Sequence, residues 1–248
     1  GNQGEVVKAL EFFYKALEIR EEMKENAGIA SSIANIGAIY SGQGNIPKAL
    51  ELQKRALNIY QRLNDKFGIT ECLNNIGVIY SNQGDVFTAL EFYHKSLKVR
   101  EEINDLQGIG YSLNNIGFIY FNQGEMKEAL EYYWRALKID EKIGDKQGSS
   151  NTLINLGALY ESQHNLPKAL ECYGKALRFQ EEMTDKVGMA KSLNHIGYIN
   201  YLQAQTDEAI ELYGRALVLN TEINEKDGIC NSLNNLAVVL LKKGQVNE

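Results

Sequence analysis

A repeat with a period of forty residues runs through this chain without a slip. Residues 112–124 read SLNNIGFIYFNQG, and the stretches CLNNIGVIYSNQG and TLINLGALYESQH stand forty residues before and after them. A fixed period of this length is the signature of a solenoid, in which each repeat contacts only its neighbours. The sequence therefore predicts one array, with half repeats at 1–27 and 228–248 and full repeats at 28–67, 68–107, 108–147, 148–187 and 188–227.

Each repeat is predicted to contain two helices, called A and B. Leu113, Ile116 and Tyr120 follow the i, i+3, i+7 spacing of one apolar helix face, and Gly117 beside them lets a neighbouring helix approach. Acidic residues such as Asp105 suit the start of helix A, and Gly124 suits the left-handed turn that ends it. The half repeats predict a lone helix B at about 5–24 and a lone helix A at about 226–242. The fold class is all-α.

Composition excludes several kinds of function. The chain has 26 basic and 32 acidic residues, a net charge of −6, so it lacks the basic surface of a nucleic-acid-binding protein. Its longest aliphatic run, 236–241, is far shorter than the roughly 20 residues that span a bilayer. No targeting pattern opens the chain, which starts in mid-repeat. We therefore expect a piece of a longer protein, cytoplasmic by default, with no membrane or nucleic-acid partner.

The repeat resembles the tetratricopeptide repeat (TPR). Leucine at the start of the apolar stripe is followed by Ile-Gly, Tyr, Gln-Gly, Ala, Tyr and Ala, and this pattern recurs across the chain. The unit is longer than the usual 34 residues. It is similar to the repeats of kinesin light chains, spindle-orientation adaptors and bacterial signalling proteins. The resemblance implies a right-handed α-α superhelix, a TPR solenoid, whose A helices line a concave groove that binds extended peptides.

One column of the predicted groove is nearly constant. Among the six A helices it holds asparagine in five and histidine in the other. An asparagine amide can pair with both the N–H and the C=O of a bound peptide backbone. The same asparagines could instead bond to neighbouring helices and stabilise the stack. Variable positions around them would read side chains. The candidate peptide-binding residues are Asn35, Asn75, Asn115, Asn155, His195, Asn235, Asn74, Asn114, Asn194, Tyr111, Phe118, Phe121, Lys191, Tyr198 and Tyr201.

Catalysis by this segment is not expected. The three histidines, His94, His164 and His195, lie in different parts of the repeat, and neither an HExxH motif nor a P-loop occurs. Three cysteines without CxxC spacing argue against a metal site or a disulfide framework. We therefore expect no cofactor, no bound metal and no enzymatic activity.

Three functions remain open from the sequence. The first is a scaffold that binds a peptide or protein segment in its groove. The second is a sensory or autoinhibitory segment of a larger signalling protein, such as a kinase, cyclase or transcription regulator. The third is a structural spacer that assembles with itself. Apolar residues on the two lone terminal helices also predict head-to-tail self-association.

Overall fold

The computed structural model describes residues 2–246, so Gly1, Asn247 and Glu248, which the predicted half repeats include, lie outside the described residues. Within the described range the chain forms twelve α-helices and no strand. Odd-numbered helices are the predicted B helices and even-numbered ones the A helices. They are α1 (Asn2–Glu22), α2 (Asn26–Gly42), α3 (Ile46–Leu63), α4 (Lys66–Asn82), α5 (Val86–Glu102), α6 (Leu106–Asn122), α7 (Met126–Ile143), α8 (Lys146–Ser162), α9 (Leu166–Met183), α10 (Lys186–Leu202), α11 (Thr206–Glu222) and α12 (Lys226–Val246).

The described helices form two compact units, α1–α6 and α7–α12. Within each unit, each helix packs against the next along the chain. The terminal helix α1 begins and ends a few residues earlier than predicted, and α12 ends a few residues later than predicted. The predicted repeat boundaries stay a prediction. None of the described helices has the length and hydropathy that crossing a bilayer requires.

Side chains cap the helices much as predicted. Asp65, Asp105, Asp145 and Asp185 each accept a hydrogen bond from the backbone N–H three residues later, at the start of an A helix. Such a bond satisfies one of the N–H groups that a helix start leaves unpaired. Glu25 and Gln205, at the starts of α2 and α11, make no such bond. Most repeats therefore fix the start of helix A by the same local interaction.

The core is built from the predicted apolar stripes. Leu113 and Ile116 on α6 and Ala136 on α7 are fully buried. Tyrosines at the end of helix A were also predicted to be buried, and this holds for Tyr160. Tyr40, Tyr80 and Tyr120 are also largely buried, although each keeps more exposed surface than Tyr160. The ring of Tyr80, for example, stacks on that of Phe92, with centroids 5.8 Å apart.

The tyrosines that do fill the core lie on the B helices. Tyr173 and Tyr213 are almost completely buried, and each ring lies against a glycine of the preceding A helix. A Cβ built on Gly157 would lie 2.5 Å from the Tyr173 ring, and one on Gly197 would lie 3.0 Å from Tyr213. The predicted role of this glycine column, close approach of a neighbouring helix, is therefore confirmed.

A second glycine column makes room for a side-chain contact at each junction between repeats, and this contact is polar at five of the six junctions. The last turns of the B helices carry side chains that reach the first turns of the next A helices. A Cβ on Gly148, for example, would lie 2.8 Å from the Asp140 carboxyl carbon. We call the following contacts the junction pairs: Arg20–Ser32 at 2.8 Å, Arg100–Ser112 at 3.3 Å, Asp140–Thr152 at 3.3 Å, Gln180–Ser192 at 2.8 Å and Asn220–Ser232 at 3.2 Å. At the remaining junction, Tyr60 and Cys72 pack together in the apolar core.

Both kinds of turn contain a residue with a left-handed backbone. Between helices A and B this residue is Gly44, Gly84 or Gly124, as predicted, but His164 and Ala204 adopt the same conformation with φ of 57° and 61°. Between helices B and A the corresponding residues are Lys24, Asn64, Asn104, Gly144, Thr184 and Asn224. A β-branched residue such as threonine is the least suited to positive φ.

Replacing Thr184 with glycine is therefore expected to stabilise the protein. Thr184 has a φ of 56° and an exposed side chain, so little packing would be lost. Removing the clash of Cβ with the backbone outweighs the added freedom of the unfolded chain, by about 1 kcal/mol. Chemical denaturation would measure the gain, and Thr184→Asn should give a similar one because asparagine tolerates this conformation. A loss of stability in both variants would contradict the inference that the backbone of Thr184 is strained.

The terminal helices expose apolar side chains. On α1, Val7 is exposed, and Val6, Leu10 and Phe13 are half-buried. On α12, Leu233, Leu240 and Leu241 are 49%, 53% and 69% exposed. Leu236, which was expected to be exposed, instead packs against the core formed by Ala209, Tyr213 and Val239.

Candidate functional site

The predicted binding residues lie on the A helices of both units. In α1–α6, Tyr111 and Phe118 are exposed at 43% and 45%. Asn35 is exposed as well. The residues Asn74, Asn75, Asn114, Asn115 and Phe121 are half-buried.

Two predicted asparagines in this unit take part in the stack. The side-chain N–H group of Asn115 on α6 donates a hydrogen bond to the Asn74 side-chain oxygen on α4, at 2.9 Å. Asn114 also interacts with a neighbouring group. An asparagine amide has two N–H donors and an oxygen acceptor, so the bond to Asn74 uses one of the groups that Asn115 offers. The structural and the ligand-binding interpretations of this column are therefore compatible, and binding stays a prediction.

In α7–α12 the predicted residues converge on one cleft. It has a volume of about 410 Å³ and lies on the helices α8, α10 and α12. Five of the predicted residues line it, and so do two others, Glu161 and Asn231. The five are Lys191, Asn194, His195, Tyr198 and Asn235. We call these seven residues the unit-two cleft. Tyr201 and Asn155 lie outside this set; Tyr201 is covered by the Lys242 ammonium group, 4.5 Å from the ring centre, and Asn155 interacts with a neighbouring group.

Glu161 is the best-fixed charge of the cleft. Its Oε2 accepts a hydrogen bond from the Tyr173 hydroxyl at 2.9 Å, and His195 Nδ1 lies 3.8 Å from the same oxygen. Interaction with His195, followed by the bond from Tyr173, holds the pKa of the Glu161 carboxyl below its usual value, although burial opposes this. Glu161 is therefore an anion at neutral pH, and the hydrogen bond from Tyr173 sets its position.

The rings of Tyr173 and His195 lie next to this carboxylate and support each other. Their rings stack with centroids 4.5 Å apart and planes 10° from parallel. Burial, and then the charge of Glu161, raise the pKa of Tyr173 well above its usual value, so its hydroxyl stays protonated and donates. Because the ring of Tyr173 is itself fixed against Gly157, the local packing of α8 and α9 determines where the carboxylate points.

The repeat pattern named five of the seven cleft residues but missed the organisation of the cleft. Glu161 and Asn231 lie at positions that vary between repeats and were not among the candidate residues. The contact from Tyr173 was not predicted at all. A signal was present, because Glu161 lies one helical turn after Gly157, on the face where the tyrosine of the next helix must approach.

The cysteines lie apart from this site. Cys72 and Cys172 are buried and Cys230 is exposed, and none forms a disulfide. Burial raises the pKa of the Cys72 thiol to about 12 and that of Cys172 to about 11, which makes both poor nucleophiles. Among the described residues no group of three or more histidine, cysteine or acidic side chains is arranged to hold a metal ion.

Solved structures with the same fold are numerous. The crystal structure of BtubC (BKLC) from P. vanneervenii has a TM-score of 0.76 and 19% identity, with 89% of this chain and 92% of that chain covered. A Rap protein complexed with Competence and Sporulation Factor has a TM-score of 0.69 and 17% identity, with 98% and 72% covered. A signal transduction ATPase with a tetratricopeptide repeat sensor, from Pyrococcus horikoshii, has a TM-score of 0.76 and 19% identity, with 94% and 36% covered.

These likenesses establish the fold, since every identity is below 20%. No curated protein matches the chain. The family comparison goes further. Family models described as "Tetratricopeptide repeat" match residues 2–62, 69–105 and 108–182, which is well over half of the sequence. The protein is an all-α TPR solenoid and belongs to the tetratricopeptide repeat family.

Proposed function

We propose that this chain is a non-catalytic scaffold that binds an extended peptide or protein segment along the surface formed by its A helices. The observation that carries the proposal is the unit-two cleft, in which five residues predicted from the repeat pattern come together. Support also comes from the family, whose fold is typically an interaction scaffold, and from a fold neighbour that was crystallised with a bound factor.

A single position in each unit tests this proposal with little disturbance of the fold. Asn75 on α4 is half-buried, and Asn235 lines the cleft. Each amide is expected to bond a peptide backbone, so Asn75→Ala and Asn235→Ala should each weaken binding by about 3- to 10-fold. The probe is a peptide selected on the wild-type chain from a random 12-residue library, and fluorescence anisotropy would measure its affinity.

Asn58→Ala provides the matched control, because Asn58 is an exposed asparagine of the B helix α3. It should leave both affinity and melting temperature unchanged. If Asn75→Ala lowers the melting temperature but leaves the affinity unchanged, the asparagine column serves the stack alone. If selection on the wild-type chain enriches no peptide, the binding function itself is contradicted.

A sensory segment of a larger signalling protein is the second candidate. One observation favours it: the ATPase neighbour is described as carrying these repeats as a sensor, and the present chain covers only 36% of that protein. In such a protein the occupant of the A-helix surface would be another domain of the same chain.

The third function open from the sequence, a spacer that assembles with itself, also stays a hypothesis. Head-to-tail association through α1 and α12 is its prediction. The exposed Leu241, rather than the half-buried Leu236, is the position at which a charged residue would interrupt such a contact.

A further inference from the structure

The unit-two cleft differs in charge from the repeats around it. The helix position of Glu161 is occupied in other repeats by Ser41, Ser81, Phe121 and Tyr201, none of which is charged. Glu161 is also the member of the cleft with the most fixed geometry, because its side chain is only 24% exposed and is bonded to Tyr173. A fixed carboxylate at one repeat alone indicates selectivity at that point of the surface.

The carboxylate retains capacity for a ligand. An ionised carboxylate has about four lone-pair sites, and Tyr173 occupies one of them. His195 lies at 3.8 Å, beyond the usual hydrogen-bond distance. Since a partly buried anion is stabilised by a charged donor, the open side of Glu161 suits an ammonium or guanidinium group.

The rest of the lining fits a peptide around that group. Asn231 and Asn235 supply amides that pair with a backbone, and Tyr198 offers an exposed aromatic surface. A volume of about 410 Å³ lies toward the lower end of the range for ligand pockets and suits one long side chain with its flanking backbone. Lys191 is exposed at the rim, where it favours an acidic residue next to the bound cation.

We propose that the unit-two cleft binds an arginine or lysine side chain of an extended peptide, with Glu161 as the residue that selects it. This inference rests on the proposed function and specifies the ligand class for one of its sites. The other A-helix residues of the same unit would contribute backbone contacts and apolar contacts, while the cation bound at this cleft sets the register of the peptide.

The test is a peptide selection repeated on two variants. A random 12-residue library is selected in parallel on the wild-type chain, on Glu161→Gln and on Glu161→Lys. Wild-type selection should enrich one basic residue at a fixed distance from the other preferred positions. Glu161→Gln, which can still accept from Tyr173, should lose that preference and weaken binding of the wild-type-selected peptide by about 10- to 100-fold. Glu161→Lys should favour an acidic residue at the same place.

Glu211→Gln is the matched control, because Glu211 is exposed on the B helix α11 of the same unit. Thermal melting of each variant shows that it is folded, and Glu161→Gln should melt within a few degrees of the wild type. Enriched peptides that share a motif without a basic position would overturn this inference while leaving the scaffold function intact. A library from which no peptide is enriched would overturn both this inference and the scaffold function. An equal loss of affinity in Glu211→Gln would overturn the assignment of the selectivity to Glu161.

Discussion

Replacing Gly157 with alanine is expected to lower the free energy of unfolding by about 1–3 kcal/mol, the usual range for overpacking a filled core. The new Cβ would lie 2.5 Å from the ring of Tyr173. That ring is completely buried and stacked on His195, so it has no open space into which it can retreat. Thermal and chemical denaturation would measure the loss.

Gly174→Ala is the matched control for this change. Gly174 lies on the neighbouring helix α9, and a Cβ built there would meet no atom within 4 Å. Because alanine is the better helix former, this variant should be as stable as the wild type or more stable by up to about 1 kcal/mol. Equal melting temperatures for the two alanine variants would show that Tyr173 can move aside, which would contradict the fixed geometry on which Glu161 depends.

Asp140→Asn is expected to stabilise the protein at neutral pH. Asp140 is only 2% exposed, and burial, reinforced by the charge of Asp145, raises its pKa from 3.8 to about 6 although the hydrogen bond from Thr152 opposes this. The ionised form is therefore costly in the folded state. Asparagine keeps an oxygen that can accept from Thr152 and removes the charge. The gain at pH 7.5 should be about 2–3 kcal/mol.

The pH dependence of this gain follows from the direction of the shift. Between about pH 4 and pH 6 the folded protein holds a proton on Asp140 that the unfolded chain has released, so the wild type loses stability as the pH rises through this window. The difference between Asp140→Asn and the wild type should therefore be largest above pH 6.5 and nearly absent at pH 4. Denaturant titrations at several pH values would measure it.

Glu131→Gln, an exposed carboxylate on the same helix α7, serves as the control and should show little difference at any pH. A variant Asp140→Asn that is less stable than the wild type at pH 7.5 would mean that the charge itself contributes to the junction. A difference that stays constant from pH 4 to pH 8 would mean that Asp140 titrates normally.

Much of the fold is predictable from local rules. The helix starts at Asp65, Asp105, Asp145 and Asp185 and the left-handed glycines Gly44, Gly84 and Gly124 depend on backbone groups only a few residues away. The sequence contains all the information for such contacts. The apolar stripes likewise repeat because every pair of helices needs the same packing.

The junction pairs were not predictable in the same way. Their B-helix positions hold Arg20, Tyr60, Arg100, Asp140, Gln180 and Asn220, which share no chemistry and look like surface residues. Five of these side chains are buried and that of Arg20 is half-buried, because a glycine of the next helix leaves room for each of them. That relation spans two elements. The cleft was also predictable only in part. The repeat pattern named His195 and Lys191, whereas the position of Glu161 depends on Tyr173, which lies twelve residues later and on another helix.

The junction pairs also determine which block of forty residues can be deleted without breaking a contact between neighbouring helices. Each pair spans twelve residues and crosses from one repeat into the next. A deletion of residues 45–84, with both breakpoints in A–B turns, removes Tyr60 and Cys72 together and leaves every other pair intact. A deletion of the same length at 28–67 removes Ser32 and brings Arg20 opposite Cys72, whose thiol is a weak acceptor. We therefore expect the loss of a helix B together with the helix A that follows it to cost less stability than the loss of a helix A together with the helix B that follows it.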